Sequence, residues 1–185
     1  LEDSEVILRV AEEIVGLFHQ LEIEAVVIGA VALAAYHYVR QTEVIDLGVN
    51  AVLSSLRRAV DSLIDAGFAA ELREPDADDP LGGVIDVSGS FGLLQIINFG
   101  GWFPAVIDDA VRLSNLAVRE GSPLKLVPLP HLIALKLYAG GHKSKADIVE
   151  VIARNPDLDL DETRAVCRRY RLNGLEALIH EARSN

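Results

Sequence analysis

VVIGAVALAAYHYVRQTEVIDLGV, from Val26 to Val49, reads as a short apolar strand, a glycine turn, a small-residue helix and a second strand. Val26 to Ile28 is a β-branched run of the kind that forms a buried strand. Gly29 follows at once, and Ala30 to Tyr38 is rich in alanine, which favours helix. A helix that opens on a turn after a strand directs its unpaired backbone N–H groups beyond the strand end, a place that suits an anion. Val44 to Val49 returns as a strand in which Val44, Asp46 and Gly48 share one face. Asp46 is therefore the single charge on its face.

The flanking segments supply layers for this core. Upstream, Ser4 to Leu21 carries Val6, Ile7, Val10, Ile14, Leu17, Phe18 and Leu21 at helical spacing, so one buried stripe is expected. Downstream, Asn50 to Ala66 reads as an amphipathic helix closed by Gly67, and Phe68 to Leu72 as a short strand. Residues 74–83 are turn-rich, and Asp76, Asp78 and Asp79 read as a solvated acidic loop. Val84 to Val87 and Leu93 to Phe99 form a hairpin around SGSFG, with Asp86 across from Leu94 or Gln95. Trp102 and Phe103 are expected to cap the core, ahead of a helix opened by Pro104. Leu116 to Val118 and Leu124 to Val127 read as two short strands, and Pro128 to Gly140 as a helix with Lys136 in its middle, on which His131 could equally be a surface residue. A further helix runs to Ala153. Asn155-Pro156 breaks the pattern, and two helices follow, Asp161 to Tyr170 with Asp161 as N-cap, and Asn173 to Ala182. The fold class is α/β (α+β): a mixed, mostly antiparallel sheet with packed helices. Residues 1–154 are read as the main domain and 155–185 as a helical appendage packed on it.

Composition narrows the function classes. With 185 residues, 50% hydrophobic and 24% charged, the chain can bury a substantial core. A net charge of −11 argues against general nucleic-acid binding, which draws its affinity from lysine and arginine displacing counterions. The one cysteine, Cys167, rules out an intramolecular disulfide and a multi-cysteine zinc site, and reads as a small core residue. No apolar run reaches membrane-spanning length, and the acidic, amphipathic first twenty or so residues are unlike a signal peptide; a cytoplasmic protein is expected.

The pattern of apolar strand, glycine, small-residue helix, Arg-x-Thr and strand Asp resembles the polymerase-beta-like nucleotidyltransferases, in particular the small bacterial type found in toxin–antitoxin and abortive-infection systems. Gly29, Ala32, Arg40, Thr42, Ile45, Asp46 and Leu47 fall at the matching spacings. The resemblance implies a nucleoside triphosphate with Mg²⁺ as cofactor, Asp46 as metal ligand and catalytic residue, and Gly29, Ala30, Arg40, Thr42 and Lys136 as nucleotide contacts. Such enzymes hold Mg²⁺ on two strand carboxylates two residues apart and activate the acceptor hydroxyl with a third. Here Val44 stands at the first of those positions and Gln95 at the third, and Ala30 replaces a second glycine or serine. Asp86, as a catalytic residue on the neighbouring strand, and Glu43, re-aimed by a bulge, are the carboxylates that could rebuild the site. Three readings follow: a catalytically impaired pseudoenzyme that binds a nucleotide weakly, an active enzyme that transfers a nucleoside monophosphate to a hydroxyl, and an interaction module with a protein partner, as in a toxin–antitoxin pair.

Overall fold

The computed structural model describes residues 2–40, 44–75, 81–100 and 103–184. Thr42, Glu43, the loop residues Asp76, Asp78 and Asp79, and Trp102 lie outside them. The described elements, in chain order, are α1 (Glu2–Gln20), β1 (Ala25–Ile28), α2 (Gly29–Ala35), β2 (Val44–Val49), α3 (Leu53–Asp65), β3 (Ala69–Arg73), β4 (Val84–Gly89), β5 (Gly92–Asn98), α4 (Pro104–Leu113), α5 (Leu129–Ala139), α6 (Gly141–Arg154), α7 (Leu160–Arg169) and α8 (Leu175–Ser184).

The strands form one mixed sheet in the order β1-β2-β5-β4-β3. β2 and β5 run parallel, and the other three pairings are antiparallel. This is the expected mixed, mostly antiparallel architecture. Alternation then fixes what each face carries. Ile45, Leu47, Ile85, Val87, Leu94 and Ile96 point to one side and are buried, and the helices α1 and α3 pack together and reach the sheet on β5 and β3 respectively. The opposite face carries Val44, Asp46, Asp86 and Gln95, which no apolar demand places there.

Several elements differ from the sequence reading in ways that have local causes. The α1 stripe is centred on Ala11, Ile14 and Phe18, all fully buried, while Val6 at its edge is 43% exposed. α2 stops at Ala35 because His37 takes a left-handed φ of 65° and turns the chain out of the helix. The two short strands expected at 116–118 and 124–127 are only isolated bridges, Ala117 to Lys125 and Val27 to Leu126. The helix α7 begins one residue earlier than expected, and its N-cap is Asp159, whose carboxylate accepts from the N–H groups of Asp161 and Glu162. His131 is not on the helix surface: it is 2% exposed, because α5 is apolar on all sides and covered by its neighbours.

α7 packs on α5 and α8 on α6, and Leu160, Cys167, Leu175 and Ile179 join the same apolar cluster as the sheet. Burial pushes the Cys167 thiol up to about 11, consistent with an inert core residue. Asp109 of α4 ties α7 down: it accepts from the Tyr170 hydroxyl at 2.5 Å and from Arg112 at 2.6 Å, with Arg169 at 3.0 Å. Among the described residues no helix is long and apolar enough to cross a membrane.

Candidate functional site

The site begins with strand register. Ile28 of β1 pairs Asp46 of β2, Asp46 pairs Gln95 of β5, Gln95 pairs Asp86 of β4, and Asp86 pairs Glu71 of β3. Paired residues share a face, so Asp46, Gln95, Asp86 and Glu71 form one row across the sheet. Neighbouring strands lie about 4.8 Å apart, which puts the backbones of Asp46 and Asp86 roughly 10 Å from each other, with Gln95 between them.

At the Asp46 end of this row the sheet, α5 and α6 enclose a cavity of about 430 Å³. Among the described residues its polar side chains are Asp46, Lys136, Ser144 and Tyr138, and the remaining wall is aliphatic or aromatic, with Leu132, Leu135 and Phe99 prominent. Gly29 lies directly under Asp46. It has φ +68°, and a Cβ built there would overlap Asp46 Oδ2 and sit 2.8 Å from its Cγ. Glycine is required on both counts, since only it accepts this backbone without strain and leaves room for the carboxylate. Asp46 has no hydrogen-bond or ion-pair partner among the described residues. Burial raises its pKa, opposed by the charges of Lys136, Arg40 and Lys143.

Lys136 has a definite partner. Its ammonium donates to Asp147 Oδ2 at 2.7 Å, and Arg40 Nε stands 3.8 Å from the other oxygen of Asp147. The Asp147 side chain is only 3% exposed, so this is a buried pairing that fixes Lys136 at the cavity wall. Arg40 Nε is itself buried and has no hydrogen-bond partner among the described residues.

Asp86 stands outside the cavity lining. Arg73 Nε donates to its Oδ2 at 2.7 Å and Gln95 Nε2 to its Oδ1 at 2.6 Å. Burial pushes the Asp86 carboxyl up, but these two donors and the Arg73 charge outweigh it and hold the pKa below the usual value. The carboxylate is committed to charge-assisted bonds within the sheet face.

Of the residues expected at the site, Gly29, Asp46 and Lys136 come together at the cavity. Ala30 is buried in the α2 packing, Arg40 lies behind Lys136 across Asp147, and Asp86 is two strands away from Asp46. α2 has seven residues, too short to focus an anion at its N-terminus, so positive charge at the site comes from side chains. Arg73 and Tyr138 were not legible in the sequence; the diagonal placement of Arg73 next to Asp86 follows only from the β3–β4 register.

Among the described residues the donor set does not fit a bridged Mg²⁺. Hard divalent ions take several oxygen ligands, with at least one or two carboxylates. Val44 and Gln95 flank Asp46 where further carboxylates would be needed, and Asp86 is both distant and occupied. Among the described residues no group of three His, Cys, Asp or Glu side chains is arranged to hold a metal ion.

No family model and no curated protein matches the sequence. In structure the chain is similar to ANT(2″)-Ia in complex with adenylyl-2″-tobramycin, with TM-score 0.55 and 13% identity over 90% of this chain and 97% of that one. The solution structure of the antibiotic-resistance factor ANT(2″)-Ia gives TM-score 0.50 and 16% identity over 100% and 94% of the two chains. An antigenic nucleotidyltransferase-like protein from Paracoccidioides brasiliensis gives TM-score 0.53 and 15% identity over 90% and 87%. At these identities the likeness is one of fold, and it spans nearly the whole of each chain: this chain has the nucleotidyltransferase fold.

Proposed function

We propose that this is a nucleotidyltransferase-fold protein with impaired catalysis that binds a nucleoside triphosphate weakly in the cavity between Asp46 and Lys136. One observation carries the reading: Gly29 is kept open for the Asp46 carboxylate at the wall of a ligand-sized cavity, while the positions beside Asp46 are Val44 and Gln95. A half-buried carboxylate with no internal partner is costly to maintain in a purely structural role. The structural neighbour that holds an adenylylated antibiotic supports a nucleotide-sized cleft in this fold. Impairment follows from charge, because phosphoryl chemistry depends mostly on electrostatic stabilisation that valine and glutamine cannot supply.

The active-transfer reading needs a further carboxylate, Asp86 or Glu43, of which Glu43 lies outside the described residues and Asp86 can be weighed. Its separation from Asp46 and its bonds to Arg73 and Gln95 speak against that role. The test is calorimetric titration of ATP, GTP, CTP and UTP, with Mg²⁺ present, into the native chain and into Asp46→Ala. Binding of one nucleotide, with affinity altered about tenfold in either direction by the substitution (about 1.4 kcal/mol), supports the reading. No binding at millimolar nucleotide, where binding is worth about 4 kcal/mol, refutes it and leaves a protein partner, of the toxin–antitoxin kind, as the function to test.

A further inference from the structure

The two ionic groups that line the cavity meet a ligand on unequal terms. Lys136 is already bonded: its ammonium donates to Asp147 Oδ2 at 2.7 Å, and the Asp147 side chain is 3% exposed, so this charge is balanced inside the wall. Asp46 has no such donor among the described residues, and the absent Cβ of Gly29 beneath it is what gives its carboxylate room. Tyr138 and Ser144 are the other polar side chains of the described lining, and most of the remaining wall is hydrocarbon, with Phe99, Leu132 and Leu135 in it. The cavity therefore offers one free carboxylate at the edge of an apolar space of about 430 Å³.

Two unmet demands follow from that composition. A carboxylate in largely apolar surroundings is stabilised by a cation that brings hydrogen-bond donors. Apolar walls are stabilised by a ligand that displaces water from them. A hard divalent ion requires several oxygen ligands, which the described residues do not gather, and it leaves the walls wet. An alkylammonium with a hydrocarbon body meets both demands. Its three N–H donors suit one carboxylate together with hydroxyl oxygens of the kind that Tyr138 and Ser144 bring to the same lining. Its body takes up apolar volume within the usual range for small-molecule sites.

We propose that the cavity binds a primary organic amine with an apolar body, its ammonium on the Asp46 carboxylate and its hydrocarbon part against Phe99, Leu132 and Leu135. The inference goes beyond the nucleotide reading and does not rest on it. The two agree in sign: an ammonium on Asp46 sets a positive group, in place of a bare carboxylate, beside any phosphate that Lys136 receives. In both, Asp46 is kept free for what enters the cavity.

The experiment is calorimetric titration of 4-phenylbutylamine, 4-phenylbutanol and 4-phenylbutyrate into the full chain, three probes with one body and three charges, with methylamine as a cation that lacks the body. It is run without nucleotide or metal at about pH 8, where an alkylammonium with a pKa near that of lysine is charged. The proteins are the native chain, Asp46→Asn and Asp65→Asn, the last an equal loss of charge at the exposed end of α3 and outside the cavity lining. Thermal melts check that both variants fold, and the probe series on the native chain stands without them. The expected result is saturable one-to-one binding of the amine, about tenfold or more tighter than the alcohol, with the carboxylate probe weakest and methylamine not saturating. Asp46→Asn brings the amine down to the level of the alcohol, and Asp65→Asn leaves the preference unchanged. Amine and alcohol binding alike, a preference for 4-phenylbutyrate, a preference lost equally in Asp65→Asn, or no binding of the amine each overturns the inference. None of these outcomes touches the nucleotide reading, whose own titration decides it separately.

Discussion

Gly29→Ala is expected to destabilise the fold for two separable reasons, and the separation tests the geometry of the site. The first is backbone: a φ of +68° costs a non-glycine residue about 1–2 kcal/mol. The second is steric: the new methyl would overlap Asp46 Oδ2 and lie 2.8 Å from Cγ, so the carboxylate must leave its rotamer, at about 0.5–1.5 kcal/mol. Together these give roughly 2–3 kcal/mol, a fall in Tm of roughly 5–10 °C for a chain of this size. Asp46→Ala removes the overlapping atoms but not the backbone strain. A double-mutant cycle measured by urea denaturation should therefore show Gly29→Ala costing about 1 kcal/mol less in the Asp46→Ala background. Equal cost in both backgrounds would mean that the carboxylate does not sit over Gly29, and no cost in either would refute the left-handed turn as well.

Two other predictions concern the anchoring of α5 and α7. His131 is buried with Nδ1 unpartnered among the described residues, and its pKa is lowered first by burial, with Asp109 opposing and Arg169 and Arg112 assisting. A histidine depressed in the folded state contributes stability above its unfolded value and loses it as the pH falls. Stability should decline below about pH 6.5 by up to about 1.4 kcal/mol per pH unit, and His131→Leu should flatten that slope in urea titrations at several pH values. Tyr170→Phe deletes the hydroxyl that Asp109 accepts at 2.5 Å while keeping the ring against Phe103 at 5.2 Å. A loss of about 1–3 kcal/mol is expected from the denaturation midpoint, and a loss under about 0.5 kcal/mol would show that Arg112 and Arg169 satisfy Asp109 alone.

The parts of this fold that were legible in the sequence are those set by local period and spacing. β-Branched runs gave β1 and β2, and the SGSFG turn gave the hairpin that brings Asp86 beside Gln95. The solitary position of Asp46 on its strand face followed from alternation alone. What could not be read depends on partners brought from afar. His131 looks like a surface residue in PLPHLIALKLYAG because only the packing of α4 and α7 covers it. By the resemblance Lys136 could meet phosphates or pair with a site carboxylate, and by sequence alone it could be an exposed cation; that it bonds Asp147 depends on the α5–α6 crossing. Arg73 reaches Asp86 through a register set by the connection between β3 and β4, whose length gives no register of its own.

The same geometry shows what carboxylates would meet at the two positions where the resemblance points to them. Acids at 44 and 95 would stand on the same sheet face as Asp46, one two residues along the strand and one on the adjacent strand. Like charges so placed repel, and burial magnifies the penalty. Valine at 44 and glutamine at 95 remove that repulsion, and the Gln95 amide goes further by donating to Asp86 at 2.6 Å. Asp46 has no such compensation. It has gained no hydrogen-bond partner among the described residues, and it still demands glycine at 29 and a left-handed turn beneath it. A carboxylate that demands this much of its surroundings at a cavity wall is what the proposed ligand site requires and what a purely structural role does not.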